Sequence, residues 1–352
     1  MIAFKDGLTI GGDSPIRVNC NIGCNKIEDI QSEISKIEFI QSCNELPDMM
    51  MDLSLIELEE PLYNYIKNNL GLPFGVVLSY HRFTKSKGYQ WEDIRDAFLQ
   101  LCYDGVSFVT IHFTADLDLF SRANQIRKIP VTSRGGGMVL YDSRINNRTQ
   151  NIFRENIDEI ANIALKHNVV ISLGTTFRPG TILDACDSVH IEETLRQLSI
   201  CRLLQSKGVK VMVENIGHIT LDKIAAHSKL LSKFNAPIMP LGPLPTDAAI
   251  NEDHIANAIG ATFAAYIGCA HIINCVTRYE HSKSAITQDV TIEAIRAAKV
   301  AAHIADLSRN INEANLYDTS ITNNRVKEHC CFADSNNCTR CSTVCPLKLT
   351  SI

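Results

Sequence analysis

The 352-residue chain has no surplus of positive charge, since 34 Lys and Arg stand against 39 Asp and Glu for a net charge of −5. That balance removes the electrostatic footprint of a nucleic-acid or anionic-membrane binder. Long apolar runs are also missing. The nearest, between Ile259 and Val276, is interrupted by Gly268, His271 and Asn274 and divides into a helix end and a strand. A membrane span needs ~20 predominantly apolar residues, so none is expected. The opening MIAFKDGLTIGGDSP has no basic segment followed by an apolar one, so secretion is not indicated and a cytoplasmic setting is expected. No nucleophile-elbow pattern surrounds Ser54, which leaves a hydrolase triad without support.

Cysteine, by contrast, is plentiful, with thirteen in the chain. Without a leader these read as thiols and metal ligands in a reducing compartment, not as a disulfide framework. Cys102, Cys201, Cys269 and Cys275 lie in apolar patterns and read as buried packing residues. Only Cys338-Thr-Arg-Cys341-Ser-Thr-Val-Cys345-Pro346 has ligand spacing. Three thiolates suit a [4Fe–4S] cluster with one iron left open for a small ligand. Zinc is the rival, with His329, Cys330 or Cys331 closing a tetrahedral site. An electron-transfer cluster is the third reading, although Ser335 stands where a ferredoxin-type run has its first Cys.

Along the chain, short β-rich runs alternate with amphipathic stretches. The runs are 50–55, 75–80, 108–113, 130–135, 169–174, 209–215, 238–243 and 271–277, each with the length and bulk of a buried parallel strand. Between them, Ile94, Phe98 and Leu101 share a helical face before Gly105. Ile157, Ile160, Ala161 and Ala164 share another, and Ile191, Leu195 and Leu198 a third before Gly208. The crossover 114–128 is the weakest helix. Eight such units predict an α/β fold of the (β/α)8 TIM type over 49–308, after a lead-in over 1–48. A polar C-terminal arm, 309–352, carries the cysteine motif.

A barrel of this kind collects functional residues at the carboxyl ends of its strands. Those positions hold Asp52 and Ser54, Tyr80 and His81, His112, Ser133-Arg134-Gly135-Gly136-Gly137, Arg178, Glu214 and His218, Asp247, and Arg278, Glu280 and His281. The Ser-Arg-Gly-Gly-Gly run offers backbone N–H groups and a guanidinium to a phosphate, or is simply a tight turn with an exposed Arg. Arg178 adds a second cation. His218 and His281, with Glu214 and Glu280 beside them in sequence, suit a divalent metal or serve as hydrogen-bonded structural histidines. Asp247, Asp253 and His254 supply acid–base groups or cap the following helix.

Taken in order, several stretches resemble the phosphomethylpyrimidine synthase (ThiC) family. They are Asn19-Cys-Asn21-Ile-Gly23, Met51-Asp-Leu-Ser54, Thr110-Ile-His112, Ser133-Arg-Gly-Gly136, Ser172-Leu-Gly174 with Arg178-Pro-Gly180, and Glu214 with Gly217-His218. Leu241-Gly-Pro-Leu244, Thr246-Asp247, Asp253-His254-Ile255, Glu280-His281 and Ala301-Ala-His303 complete the series. The resemblance implies a radical S-adenosylmethionine lyase of thiamine biosynthesis, with a homodimer whose cysteine arm covers the partner's barrel mouth. It implies 5-aminoimidazole ribotide as nucleotide substrate, rearranged to 4-amino-5-hydroxymethyl-2-methylpyrimidine phosphate, and a flavodoxin- or ferredoxin-type electron donor. Carried over residue by residue, Cys338, Cys341 and Cys345 hold the 4Fe–4S cluster. Ser133, Arg134 and Gly135 hold the phosphate. Asn21, Met51, Tyr80, His112, Arg178 and Glu214 line the substrate pocket, and His218 and His281 ligate zinc or a similar divalent ion.

Four departures accompany the likeness. Thr175 stands where the family has a substrate-contacting Asp, and Asn215-Ile216 replaces Gly-Pro before Gly217-His218. The last cysteine spacing is one residue short, and Phe113-Thr114 follows Thr-Ile-His in place of Ala-Gly. Loss of a pocket carboxylate changes which hydroxyls or amines can be held. A paralogue making 5-hydroxybenzimidazole for cobamides is therefore the nearest alternative, and a non-catalytic iron–sulfur or zinc sensor the alternative of another class.

Overall fold

A computed structural model describes residues 1–282, 284–325 and 341–349. The chain divides into two compact units, Met1–Ala305 and Asp306–Ile352.

In the first unit eight parallel strands form one sheet: β1 (Arg17–Ile22), β2 (Met49–Asp52), β3 (Phe74–Val77), β4 (Phe108–Ile111), β5 (Val170–Leu173), β6 (Val211–His218), β7 (Ile238–Leu244) and β8 (Ile272–Asn274). The ladder runs in sequence order from β1 to β7, and β8 pairs back with β1, with Ile272 opposite Arg17. Between β7 and β8 the barrel is closed by individual bonds: His271 N–H donates to Ile238 O at 2.8 Å and the Asn274 amide to Pro240 O at 2.9 Å. This is the expected α/β barrel.

Two strand assignments change. The run 130–135 is not a strand. Pro130 has no N–H to give a ladder, and the preceding N–H groups of Lys128 and Ile129 are taken by the Asp184 carboxylate at 3.1 and 3.0 Å. The strands on either side of it, β4 and β5, pair directly, and the eighth strand is β1, between β8 and β2 and inside the expected lead-in 1–48. There Asn19 and Asn21 disguise a buried strand, because the Asn19 amide donates to Asn21 Oδ1 at 2.8 Å and Asn274 Oδ1 at 2.7 Å instead of to water.

The principal helices are α1 (Ile30–Ser42), α2 (Trp91–Asp104), α3 (Leu117–Ile126), α4 (Arg134–Ile145), α5 (Ile157–His167), α6 (Ser188–Ser206), α7 (Leu221–Leu231), α8 (Asp253–Tyr266) and α9 (Gln288–Ser308). In α2, Ile94, Phe98 and Leu101 are buried and Gly105 ends the helix, and in α5 Ile157, Ile160, Ala161 and Ala164 face inward, both as the periodicity predicts. Helix α6 departs from its pattern, since Ile191 and Leu195 are each 41% exposed. Leu198 is buried as expected, but it shares the inner face with Glu193, Thr194 and Gln197. Those polar side chains hydrogen-bond the loops and strand ends above the barrel, which outweighs the apolar stripe read from sequence.

Inside the barrel, Met49, Met51, Val77, Phe108, Val170, Met212, Met239 and Ile272 fill the lumen. An antiparallel pairing of Ile2–Ala3 with Thr9–Ile10 closes the floor, bringing Phe4 onto Phe108 with ring centroids 5.4 Å apart. Each such side chain contributes about 1.5–3 kcal/mol on burial. The filled floor leaves the carboxyl end as the open one.

In the second unit, α10 (Asn312–Arg325) is followed, beyond the undescribed residues, by a one-turn helix at Ser342–Val344 and another at Pro346–Leu349. Cys341 and Cys345 are half-buried and flank the first of these turns. Cys338 and the rival ligands His329, Cys330 and Cys331 lie outside the described residues.

Candidate functional site

Above the lumen the strand ends open into a cavity of ≈ 460 Å³, within the range of small-molecule sites, about 300–1,000 Å³. Asn21, Met51, Tyr80, His112, Ser133, Arg134, Arg178, Glu214, His218 and His281 all line it. Ten expected residues from scattered points of the chain therefore share one wall. Thr110, Asn274 and Glu280 also line it.

One side of the cavity is cationic. Ser133 caps α4, its hydroxyl accepting from Gly136 N–H at 3.0 Å. The first N–H groups of a helix have no intrahelical acceptor, and those of Arg134 and Gly135 open this 12-residue helix. The Arg134 guanidinium lies 5.6 Å from the Tyr80 ring centroid and donates to Asn25 Oδ1 at 2.9 Å. Arg178 donates to Thr175 O at 3.1 Å. A helix start with two guanidiniums beside it is an anion-binding arrangement. Gly135 serves a second purpose besides offering its N–H. A Cβ on Gly135 would come within 2.5 Å of His112 Cε1 and 2.6 Å of Ser79 Oγ, so this position lets the helix start press onto the strand ends.

Deeper in, Ser133 Oγ lies 2.8 Å from His112 Nε2. The hydroxyl accepts from Gly136 and keeps both a proton and a second lone pair, so it pairs with either tautomer of His112 at Nε2, and the other ring nitrogen is Nδ1. That Nδ1 is buried without a partner among the described residues. Burial, then the Arg178 charge, push the His112 pKa down to about 3, which keeps the imidazole neutral. Glu214 accepts from Thr110 Oγ1 at 2.8 Å. Burial pushes its pKa up against the pull of Thr110 and Arg178, and burial likewise raises Tyr80.

The loop carrying Arg178 is held by a residue that sequence reading did not single out. Glu193 accepts from Thr114 Oγ1 (2.7 Å), Thr175 Oγ1 (2.7 Å), Thr176 N–H (2.6 Å) and Phe177 N–H (2.8 Å). Thr175 is 1% exposed, and its hydroxyl is spent on Glu193.

On the opposite side stand the histidines. His218 Nδ1 is 2.7 Å from Asp247 Oδ1, and His281 Nδ1 is 3.2 Å from Asp253 Oδ1. Their Nε2 atoms face each other at 3.3 Å. A carboxylate on each Nδ1 keeps the proton there and leaves the Nε2 lone pairs outward. Two lone pairs at that distance repel unless a cation lies between them. Bonds of 2.0–2.1 Å in tetrahedral geometry put two ligand nitrogens ~3.3 Å apart, so the pair fits a zinc-like divalent ion. Asp247 and Asp253 are thus the orienting carboxylates, not Glu214 and Glu280, their neighbours in sequence. His218 reaches this place through a bulge in β6 between Ile216 and His218. Ile216 has φ +72° and Gly217 φ +110°, and a Cβ on Gly217 would approach Pro179 O to 2.5 Å.

The family described as the Radical SAM ThiC family matches residues 4–331. A phosphomethylpyrimidine synthase of Sulfurisphaera tokodaii is 34% identical over 334 residues, spanning 92% of this chain and 76% of its own. Another, from Caldanaerobacter subterraneus subsp. tengcongensis, is 34% identical over 329 residues, 90% and 75% of the two chains. Among solved structures, a dihydropteroate synthase (folP) from Coxiella burnetii aligns with TM-score 0.47 at 12% identity, covering 87% of this chain and 99% of that one.

Proposed function

This chain belongs to the Radical SAM ThiC family, and from that membership we propose that it is an enzyme of thiamine biosynthesis, a carbon–carbon lyase of the phosphomethylpyrimidine synthase type. The proposed reaction rearranges 5-aminoimidazole ribotide to 4-amino-5-hydroxymethyl-2-methylpyrimidine phosphate. One observation carries this reading: an anion-binding helix start and a carboxylate-backed histidine pair open onto the same cavity. A phosphorylated sugar needs both an anchor for its phosphate and a site for its hydroxyls.

In this reading Arg134, Arg178 and the N–H groups opening α4 hold the phosphate. Glu214 accepts from a ribose hydroxyl or the amine. His112 stays neutral and serves as a fixed hydrogen-bonding wall. Met51 and Val77 keep water from the buried end of the site. His218 and His281 would hold a divalent metal, which would supply Lewis-acid chemistry at that wall of the cavity. Cys338, Cys341 and Cys345 would hold a 4Fe–4S cluster, and that cluster with S-adenosylmethionine supplies the radical chemistry. A homodimer and a flavodoxin- or ferredoxin-type donor complete the proposal.

A second product has one observation in its favour. With Thr175 turned to Glu193, that position offers the cavity no carboxylate, which suits the paralogous reaction to 5-hydroxybenzimidazole. Anaerobic incubation with iron, sulfide, dithionite, S-adenosylmethionine and aminoimidazole ribotide, read by mass spectrometry, separates the two. Ribotide-dependent 5′-deoxyadenosine with a hydroxymethylpyrimidine phosphate supports the first, and a benzimidazole the second. A reconstituted cluster that leaves the ribotide untouched overturns both.

A further inference from the structure

Behind β6, on the face turned away from the cavity, lies a second group of metal-type ligands. Cys186, in the loop after β5, His190, in the first turn of α6, and His227, in α7, each offer a ligand atom within 4.8 Å of the other two. The two imidazoles are stacked, with centroids 4.2 Å apart. They are 1% and 4% exposed, whereas Cys186 is half-buried.

Their protonation is set by Asn215. Its Oδ1 accepts from Ile216 N–H at 2.7 Å, and a backbone N–H can only donate, so the amide orientation is fixed. The same oxygen lies 3.0 Å from His227 Nε2 and 3.4 Å from His190 Nε2. Both Nε2 atoms must therefore carry the proton, and each ring presents an Nδ1 lone pair. Cys186 N–H already points at the His190 Nδ1 lone pair, at 3.3 Å. A metal-bound histidine commonly donates its other N–H to a carbonyl oxygen. Here one amide oxygen does this for two rings.

We propose that Cys186, His190 and His227 form a divalent metal site with two nitrogen ligands and one sulfur ligand, separate from His218 and His281 and independent of the reaction assigned to the cavity. A thiolate and two neutral imidazoles are a borderline-soft set that suits zinc or cobalt, with the fourth position left to solvent on the half-open Cys186 side. Tetrahedral bonds bring ligand atoms to about 3.3–3.7 Å of one another, so loading draws the thiolate inward by about 1 Å. The Cys186 thiol gives up its contact to Lys223 O, now at 3.8 Å, and releases its proton to solvent, while the Cys186 N–H gives up the His190 Nδ1 lone pair it now holds at 3.3 Å and the metal takes its place. The site has a structural consequence as well. Asn215 holds Ile216 at its positive φ, two residues before His218, so a metal fixing both rings also fixes the bulge that aims His218.

The test uses the full chain carrying His329→Ala, Cys330→Ser, Cys331→Ser, Cys338→Ser, Cys341→Ser, Cys345→Ser, His218→Ala and His281→Ala, which removes the ligands named for the other two candidate sites. Anaerobic titration with divalent cobalt is expected to give one ion per chain, with thiolate-to-cobalt charge-transfer absorption and tetrahedral d–d bands. Adding Cys186→Ser should abolish the charge-transfer band. Adding His227→Gln should weaken binding by about tenfold or more. Circular dichroism of the metal-free Cys186→Ser chain controls for folding, and because that exchange is nearly isosteric it decides the matter if His227→Gln does not fold. Absence of the charge-transfer band in the parent, or its survival in Cys186→Ser, overturns the site.

Discussion

Glu193→Gln is the substitution that tests most directly how the barrel mouth is built. The carboxylate accepts four bonds, two from backbone N–H groups that have no other way to turn. An amide keeps one acceptor oxygen and presents an NH2 group to the rest. A Thr hydroxyl can rotate to accept from that NH2, but a backbone N–H cannot. One buried donor is therefore left unmade at a cost of about 1–3 kcal/mol, and the remaining bonds lose their charge assistance. Together these effects come to about 2–4 kcal/mol. For a unit of this size each kcal/mol lowers the melting temperature by about 1.5 °C, so a drop of about 3–6 °C is expected by scanning calorimetry. Because Thr175–Phe177 lead into Arg178, the same variant should bind inorganic phosphate and the ribotide more weakly, as read by isothermal titration. A melting temperature within 1 °C of the parent, with unchanged phosphate affinity, would refute the claim that Glu193 holds the Arg178 loop.

Three further outcomes follow from the site. Asp247→Asn or Asp253→Asn removes an orienting carboxylate from one histidine of the pair and should weaken divalent-metal binding about 10–100-fold in chelator competition; unchanged affinity would place the metal elsewhere. Arg134→Ala removes a charge-assisted contact of about 1.5–3 kcal/mol, so KM for the phosphorylated substrate should rise about 10–150-fold with a smaller change in kcat. The neutral, buried His112, with its pKa near 3, takes up a proton only on unfolding at mildly acid pH. Its contribution is whole above the unfolded pKa of about 6.5 and is lost as pH falls toward 3, by up to about 4–5 kcal/mol. Chemical denaturation between pH 7 and 4.5 should therefore show a shallower pH slope for His112→Asn than for the parent.

Much of the site was legible because barrels place chemistry at fixed points. Strand ends can be found from runs of buried residues, and polar residues just beyond them, such as His112, Glu214 and His218, were identified for that reason. What escaped were residues whose burial contradicts their polarity. Asn19 and Asn21 made β1 look like a lead-in, and Glu193 and Gln197 hid the true inner face of α6 behind the apolar but exposed Ile191 and Leu195. Hydropathy patterns report the solvent a residue prefers, not the partners that satisfy it inside.

Seven of the eight barrel strands, the strong helices and the residue types needed for an anion and a metal follow from the sequence alone, because each is a local property of spacing and polarity. Which carboxylate backs which histidine, how 3.3 Å between His218 and His281 is reached, and that Thr175 faces Glu193 and not the cavity were decided only by closure of the barrel. The reason is geometric. Residues far apart in the chain, 104 positions for Thr110 and Glu214 and 255 for Asn19 and Asn274, become hydrogen-bonding neighbours when eight strands curve round one axis, and no local pattern records that pairing.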